Sequence, residues 1–164
     1  EMWKNDRMNL FIRTMGKRIG PKAETEEGRK KLLVVDGEPY WFSADMALYF
    51  NYYILQAYDC SSYADLDNRF SQLVLQFSSK QTEEEIAKKL IVTENFEAHS
   101  GTGGVTFTTR DGQSVPSYLG MATWQPLNGR KGGIGSYHME KDYAASPVYK
   151  YLRQGIQIMN PAVK

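Results

Sequence analysis

One cysteine, two histidines and no long apolar run set the first limits on this chain. Cys60 alone cannot close an internal disulfide, and multi-cysteine zinc sites need more thiols than the sequence holds. No disulfide partner is expected, and a reducing cytoplasmic setting follows, the host cytoplasm or a virion if the protein is viral. No stretch approaches the roughly 20 apolar residues that cross a bilayer, and the opening EMWKNDRMNL lacks the apolar core of a signal peptide. The expectation is a soluble protein with no membrane partner. A chain starting on Glu1 reads as a processed product or as part of something longer. HExxH, CxxC, GxSxG and GxxxxGKS/T are missing too, which removes the common metalloprotease, redox, hydrolase and P-loop signatures. Internal repeats are not visible, and the expected cofactor and metal content is none.

What is present favours one domain spanning 1–164. With 164 residues and 41% hydrophobic content, the chain is long enough to bury about two-thirds of its unfolded surface in one core. Eleven tyrosines imply large core rings whose hydroxyls find polar partners, or a contact surface. Charge is unevenly spread. Residues 1–31 hold nine Lys/Arg against five Asp/Glu, residues 32–126 five against twelve, and residues 127–164 six against two. Basic ends therefore flank an acidic centre.

Local signals divide the chain as follows. Residues 3–15 place Trp3, Leu10, Phe11 and Met15 near helical spacing, with Gly16 as a stop; the mixed-charge stretch to residue 31 reads as a loop. Residues 1–31 are thus expected as an extended or loosely packed N-terminal helix and basic loop. KKLLVVDGEPYWFS has apolar runs on both sides of Asp36-Gly37, the composition of a hairpin turn, with Pro39 confining the second strand to an edge. Ser43 stands where a helix N-cap belongs, and ADMALYFNYYILQAYD reads as a buried helix. Ser62 opens another helix with the stripe Tyr63, Leu66, Phe70, Leu73, Phe77, and Thr82 with Glu85 forms a capping box for a third. Hairpins are expected at Asp111-Gly112 and Asn128-Gly129, YLGMATW as a strand, and Ser146-Pro147 as the start of a short helix. The predicted fold class is α+β, antiparallel β-hairpins packed against two or three central helices.

Chemistry is less legible than architecture. SGTGGVT, residues 100–106, has the glycine density of a phosphate nest but leads into a predicted strand, so it reads as a hairpin lead-in. His99 and His138 are the only imidazoles for acid–base work near neutral pH, and a lone loop histidine is more often simply hydrogen-bonded. Asp65 and Asp67, two apart on a helix, make a poor carboxylate pair. Glu83–Glu85 serve a helix start, and Cys60 is a structural thiol. No catalytic residue is assigned.

The remaining signal is cationic. Lys17, Arg18 and Lys22 share one predicted loop, while Arg130 and Lys131 occupy a glycine-flanked turn beside Tyr137 and His138. Loop cations reach phosphate without desolvating a core, and rings between them stack on unpaired bases, which suits single-stranded nucleic acid. The same cations would also keep the surface soluble and pair with the acidic centre. LLVVDGEPYWFSADMALYF, residues 32–50, resembles the opening of the phage antirepressor (BRO-N type) domain in its order of strand, Asp-Gly turn, aromatic strand and capped helix. That resemblance implies viral or mobile-element DNA regulation, and no residue role is carried over from it. The leading expectation is a non-enzymatic nucleic-acid-binding protein using Lys17, Arg18, Lys22, Arg130, Lys131, Tyr137 and His138. The alternative is a structural subunit that self-associates through edge strands and complementary charge; an enzyme of an unrecognised family comes third.

Overall fold

The computed structural model describes residues 6–161. Trp3 of the expected first helix lies outside them. Two compact units divide the chain: one takes it up to Leu55 with Phe70–Leu90 and Leu127–Gly132, the other takes Gln56–Arg69, Ile91–Pro126 and the chain from Gly133 onward.

In the first unit, α1 (Asp6–Gly16) turns Asn9, Ile12 and Gly16 inward, with Asp6 in its first turn and Arg13 in its last, each favourable to the helix dipole. Gly16 is required by space: a Cβ there would lie 2.2 Å from the Tyr49 ring. Asn9 Nδ2 donates to Ser43 Oγ at 2.7 Å, and Arg13 pairs with Asp45 at 2.7 Å. The expected loop after α1 contains a single short helix, α2 (Glu26–Arg29), whose first turn is capped by the Thr25 hydroxyl. Strand β1 (Val34–Gly37) follows.

The Asp36-Gly37 hairpin does not form. Pro39, which has no N–H to give a returning strand, opens a 3-10 turn over Pro39–Trp41, and a second 3-10 segment, Ala44–Leu48, brings the chain round. Strand β2 (Tyr52–Gln56) therefore runs parallel to β1, in register from Val34↔Tyr52 to Gly37↔Leu55. The helix expected from Ala44 to Asp59 is this 3-10 segment plus this strand. Its apolar residues surround a helical wheel because two separately buried elements are read as one; in β2 the inward positions Tyr53 and Leu55 alternate at the period of a strand. Ser43 caps no helix; its hydroxyl serves Asn9.

The helices with local caps form as expected. Helix α3 (Tyr63–Phe77) has Ser62 Oγ accepting from the Asp65 amide and buries Leu66, Phe70, Leu73 and Phe77. Helix α4 (Glu83–Lys89) carries the full Thr82–Glu85 capping box, acidic at its start and basic at its end.

The second unit contains most of β3 (Leu90–Asn95), the antiparallel pair β4 (Thr106–Thr108) and β5 (Ser114–Pro116) about Asp111-Gly112, then α5 (Ser117–Thr123), β6 (Gly133–Tyr137) and α6 (Lys150–Met159). YLGMATW is helical rather than extended because Pro116 begins it and Gly120 admits Phe107, whose ring would lie 2.3 Å from a Cβ there. The Asn128-Gly129 hairpin is also absent: Gly129 does take positive φ (+112°), but the segment leads into β6, which pairs with β3 in parallel from Ile91↔Gly133 to Asn95↔Tyr137. Helix α6 begins at Lys150, three residues beyond Pro147, with Tyr149 rather than Ser146 at its N-cap position, and the Asp142 carboxylate accepts from the first-turn Leu152 amide at 2.8 Å. Antiparallel hairpins on central helices are thus replaced by parallel strands joined through helices and 3-10 turns. The β4–β5 pair is antiparallel.

Candidate functional site

Parallel strands direct all their carboxyl ends to one side, and the connections leaving those ends are where such sheets place their ligands. In the second unit these connections follow Gln56, Asn95 and Tyr137. The Asn95↔Tyr137 register sets the ends of β3 and β6 level, and the Phe96 amide donates to the Tyr137 carbonyl at 3.0 Å.

At the centre lies Glu94, 0% exposed on β3. A buried carboxylate persists only where donors replace its hydration, and here there are three. Oε1 accepts from the Asn95 amide at 2.7 Å and from the Asp59 amide at 3.3 Å, and Oε2 accepts from the Ser117 hydroxyl. Gly104 makes the approach possible: at φ +109° it lies where a Cβ would meet both Ser117 Oγ and Glu94 Oε2. Glu94 thereby ties the chain leaving β2 to the end of β3 and the start of α5.

The connection held in this way presents Tyr58 and Asp59. Asp59 takes left-handed φ (59°), a conformation that Asp tolerates better than most residues, and its exposed Oδ1 meets His99 Nε2 at 2.7 Å. The Tyr58 ring lies 6.5 Å from that of Tyr137, which packs edge-on against His138 at 4.3 Å. His138, itself left-handed, holds Glu140 through Nδ1 at 2.6 Å and has Glu97 at 3.9 Å from Nε2. The His138 hydrogen bond keeps the Glu140 carboxyl below the usual carboxylate range. Beneath, Tyr118 is buried against Phe96, and burial pushes its phenol up to about 12. Next to Asp59 a depression of about 320 Å³ is lined by Tyr58, Cys60, Asp65, Asn68 and Arg69. Burial pushes the Cys60 thiol up to about 11, in keeping with a structural thiol. The Asp59, Glu94 and His99 ligand atoms lie within 4.8 Å of one another, near enough to share a cation. Glu94 and His99 already spend those atoms on hydrogen bonds, so the cluster is internally satisfied without one.

Residues 2–158 match glycoside hydrolase family 18, BT1044-like. The chain belongs to that family. Among solved structures, a selenomethionine form of BT1044 with one glutamate replaced by glutamine is 31% identical, with a TM-score of 0.78 over 96% of this chain and 45% of that one. An endo-beta-N-acetylglucosaminidase from Cordyceps militaris in apo form is 25% identical, with a TM-score of 0.63 over 92% and 49%. A doubly substituted form of the same enzyme, in complex with fucosyl-N-acetylglucosamine-Asn, is 23% identical at the same TM-score and coverage and speaks for the fold alone. This family-18 chain spans about half the length of these relatives. No curated protein matches it.

Family 18 membership corrects two expectations. The fold is a parallel-sheet α/β, TIM-like domain, not antiparallel hairpins against helices. The function points to carbohydrate, so the nucleic-acid-binding, viral and phage reading is overturned, together with the antirepressor likeness of residues 32–50. That segment holds a strand followed by two 3-10 turns, without the aromatic strand and capped helix the likeness requires.

The seven residues singled out from sequence divide between the two units, five in the first and two in the second. Lys17, Arg18 and Lys22 are exposed in the first unit, as is Arg130. Lys131 beside it is buried, 3% exposed, and burial lowers its amine to about 7. Tyr137 and His138 belong to the strand-end cluster of the second unit, where His99 is indeed hydrogen-bonded. Sequence reasoning missed Tyr58, Asp59 and Glu94. Recognising YYILQ as an alternating strand would have placed the first two at a strand end; nothing local marks Glu94, whose partners lie 23 and 35 positions away.

Proposed function

We propose that this chain takes part in recognising and hydrolysing glycans that contain N-acetylglucosamine, through the strand-end cluster of Tyr58, Asp59, His99 and Tyr137. The observation that carries this reading is the fixing of Asp59 by Glu94 and His99 at the carboxyl ends of parallel strands, with tyrosine rings on the same side. Hydrolysis in family 18 is assisted by a group of the substrate itself. A chain of this kind must therefore hold that group still rather than supply the nucleophile, and the gain comes from orientation. The Asp59 carboxylate accepts from a sugar amide or hydroxyl, its rotamer restrained by His99, while Tyr58 and Tyr137 offer rings for the apolar sugar face and phenols for its hydroxyls. The Cordyceps enzyme's bound fucosyl-N-acetylglucosamine-Asn supplies the probe.

Calorimetric titration of the chain with that compound tests the reading. Wild type should bind, and Asp59→Asn should bind at least tenfold more weakly, a loss of about 1.4 kcal/mol or more. No binding by the folded chain, or equal affinity for Asp59→Asn and Tyr137→Ala, would overturn it.

A further inference from the structure

A second pocket lies in the first unit, about 460 Å³ in volume and lined by Tyr40, Trp41, Phe42, Ser43, Gln72 and Gln76. None of these residues belongs to the strand-end cluster. The size falls in the range of small-molecule sites. Its lining carries three aromatic rings, one of them the Tyr40 phenol, two primary amides and the Ser43 hydroxyl, and no charged group.

The polar atoms here are arranged with capacity to spare. Among the described residues neither the Trp41 indole N–H nor the Gln72 amide has a hydrogen-bond partner. Gln76 Nε2 donates to the Phe42 carbonyl at 2.5 Å, which fixes that amide and leaves its Oε1 as an acceptor. Ser43 Oγ accepts from Asn9 Nδ2 at 2.7 Å, so its own proton remains to be donated. Trp41 is 38% exposed and is held edge-on to Tyr40, at 6.4 Å and 86°, within the 3-10 turn that Pro39 starts. A rigid ring that offers both an apolar face and a donor has little rotamer freedom to lose on binding.

Such a lining selects a ligand class. A wall without a cation leaves the charge of a phosphate or carboxylate unpaired and meets it with neutral donors alone, which are weaker than charge-assisted ones; this disfavours nucleotides and acidic ligands. A purely apolar ligand would leave the amides unpaired, which is costly on burial. A neutral polyhydroxylated ring, apolar on its C–H face and polar at its edge, satisfies both requirements. We infer that the Trp41–Gln72 pocket is an accessory subsite for one sugar ring, separate in its residues from the strand-end cluster and independent of the function proposed for that cluster. Affinity for a single ring in an open pocket is expected on the order of 1 mM.

The test is a titration of the isotopically labelled full chain with N-acetylglucosamine, followed by NMR at the Trp41 indole resonance, which is assigned by its loss in Trp41→Phe. The expected result is a saturable shift that is weakened at least tenfold in Gln72→Ala and retained in Asp59→Asn. Retention in Asp59→Asn separates this subsite from the strand-end site, so either can fail alone. Ser43→Ala is the second variant should Gln72→Ala lose its dispersed spectrum, and it should weaken the shift too. The inference is overturned if the Trp41 resonance does not move, if glucuronate shifts it as strongly as N-acetylglucosamine, or if the folded Gln72 or Ser43 variant responds like wild type.

Discussion

Lys131 and Arg130 are neighbours in sequence with opposite fates: the arginine is exposed, and the lysine is 3% exposed with its amine lowered to about 7, first by burial and then by Arg130. Their difference has a measurable consequence through proton linkage. In the unfolded chain the amine stays protonated to about pH 10.4, whereas in the folded chain it releases its proton near 7. Between those values the unfolded state binds the extra proton, so stability must rise with pH across that window. Urea unfolding at stepped pH should show this rise, and Lys131→Met should flatten it; an unchanged slope in the variant would assign it to other groups. Glu94 gives the complementary case, a buried carboxylate whose removal strands three donors. Glu94→Ala should cost on the order of 3 kcal/mol in chemical denaturation, because each orphaned buried donor costs about 1–3 kcal/mol. Glu94→Gln, which keeps an acceptor oxygen, should lose less. Asp59 and Glu94 also show why part of the site escapes a sequence reading. The string containing Asp59 reads as the end of a helix, and Glu94 gains its role from Ser117 and Asp59, which only folding brings to it.

At the scale of elements, legibility follows the range of the forces involved. Helices α3 and α4 can be read because a cap and an apolar stripe are complete within each segment: Ser62 with Asp65 for one, Thr82 with Glu85 for the other. The pairing of β1 with β2 cannot be read in that way, since Asp-Gly serves equally as a hairpin turn and as the exit of a strand into a crossover. The choice lies with Pro39 and the two 3-10 turns, which bring the chain back to the starting end of β1. Helix α5 is a similar case, since its residues are compatible with a strand until Phe107 and α6 are in place. Close packing there depends on glycine. A Cβ at Gly155 would lie 2.5 Å from Tyr118 and 2.9 Å from Ile134. Gly155→Ala should therefore destabilise the protein by roughly 1–3 kcal/mol, the usual cost of overpacking, despite alanine's better helix propensity. A raised thermal midpoint in that variant would show that α6 can shift to make room.

For the molecule as a whole, several cations meet carboxylates at the surface. Arg13 meets Asp45 at 2.7 Å, Lys30 meets Glu26 at 3.2 Å and Arg110 lies 3.7 Å from Asp67, all exposed pairs that water and salt screen and that contribute little. The basic ends and acidic centre nearly cancel to a net charge of +1. Long-range attraction contributes little to binding a neutral ligand under these conditions, whereas short-range hydrogen bonds and ring contacts are hardly touched by salt. Affinity for an uncharged N-acetylglucosamine compound should therefore change less than about twofold across a tenfold rise in salt. A protein that held six or more phosphates would lose about a thousandfold or more over a smaller rise, because each neutralised phosphate releases a counterion. Calorimetry at two salt concentrations distinguishes the cases. A steep fall with salt would mean that exposed cations such as Lys17, Arg18 and Lys22 take part in binding, and the hydrogen bonds of Asp59 and the ring contacts of Tyr58 and Tyr137 would then be insufficient to account for recognition.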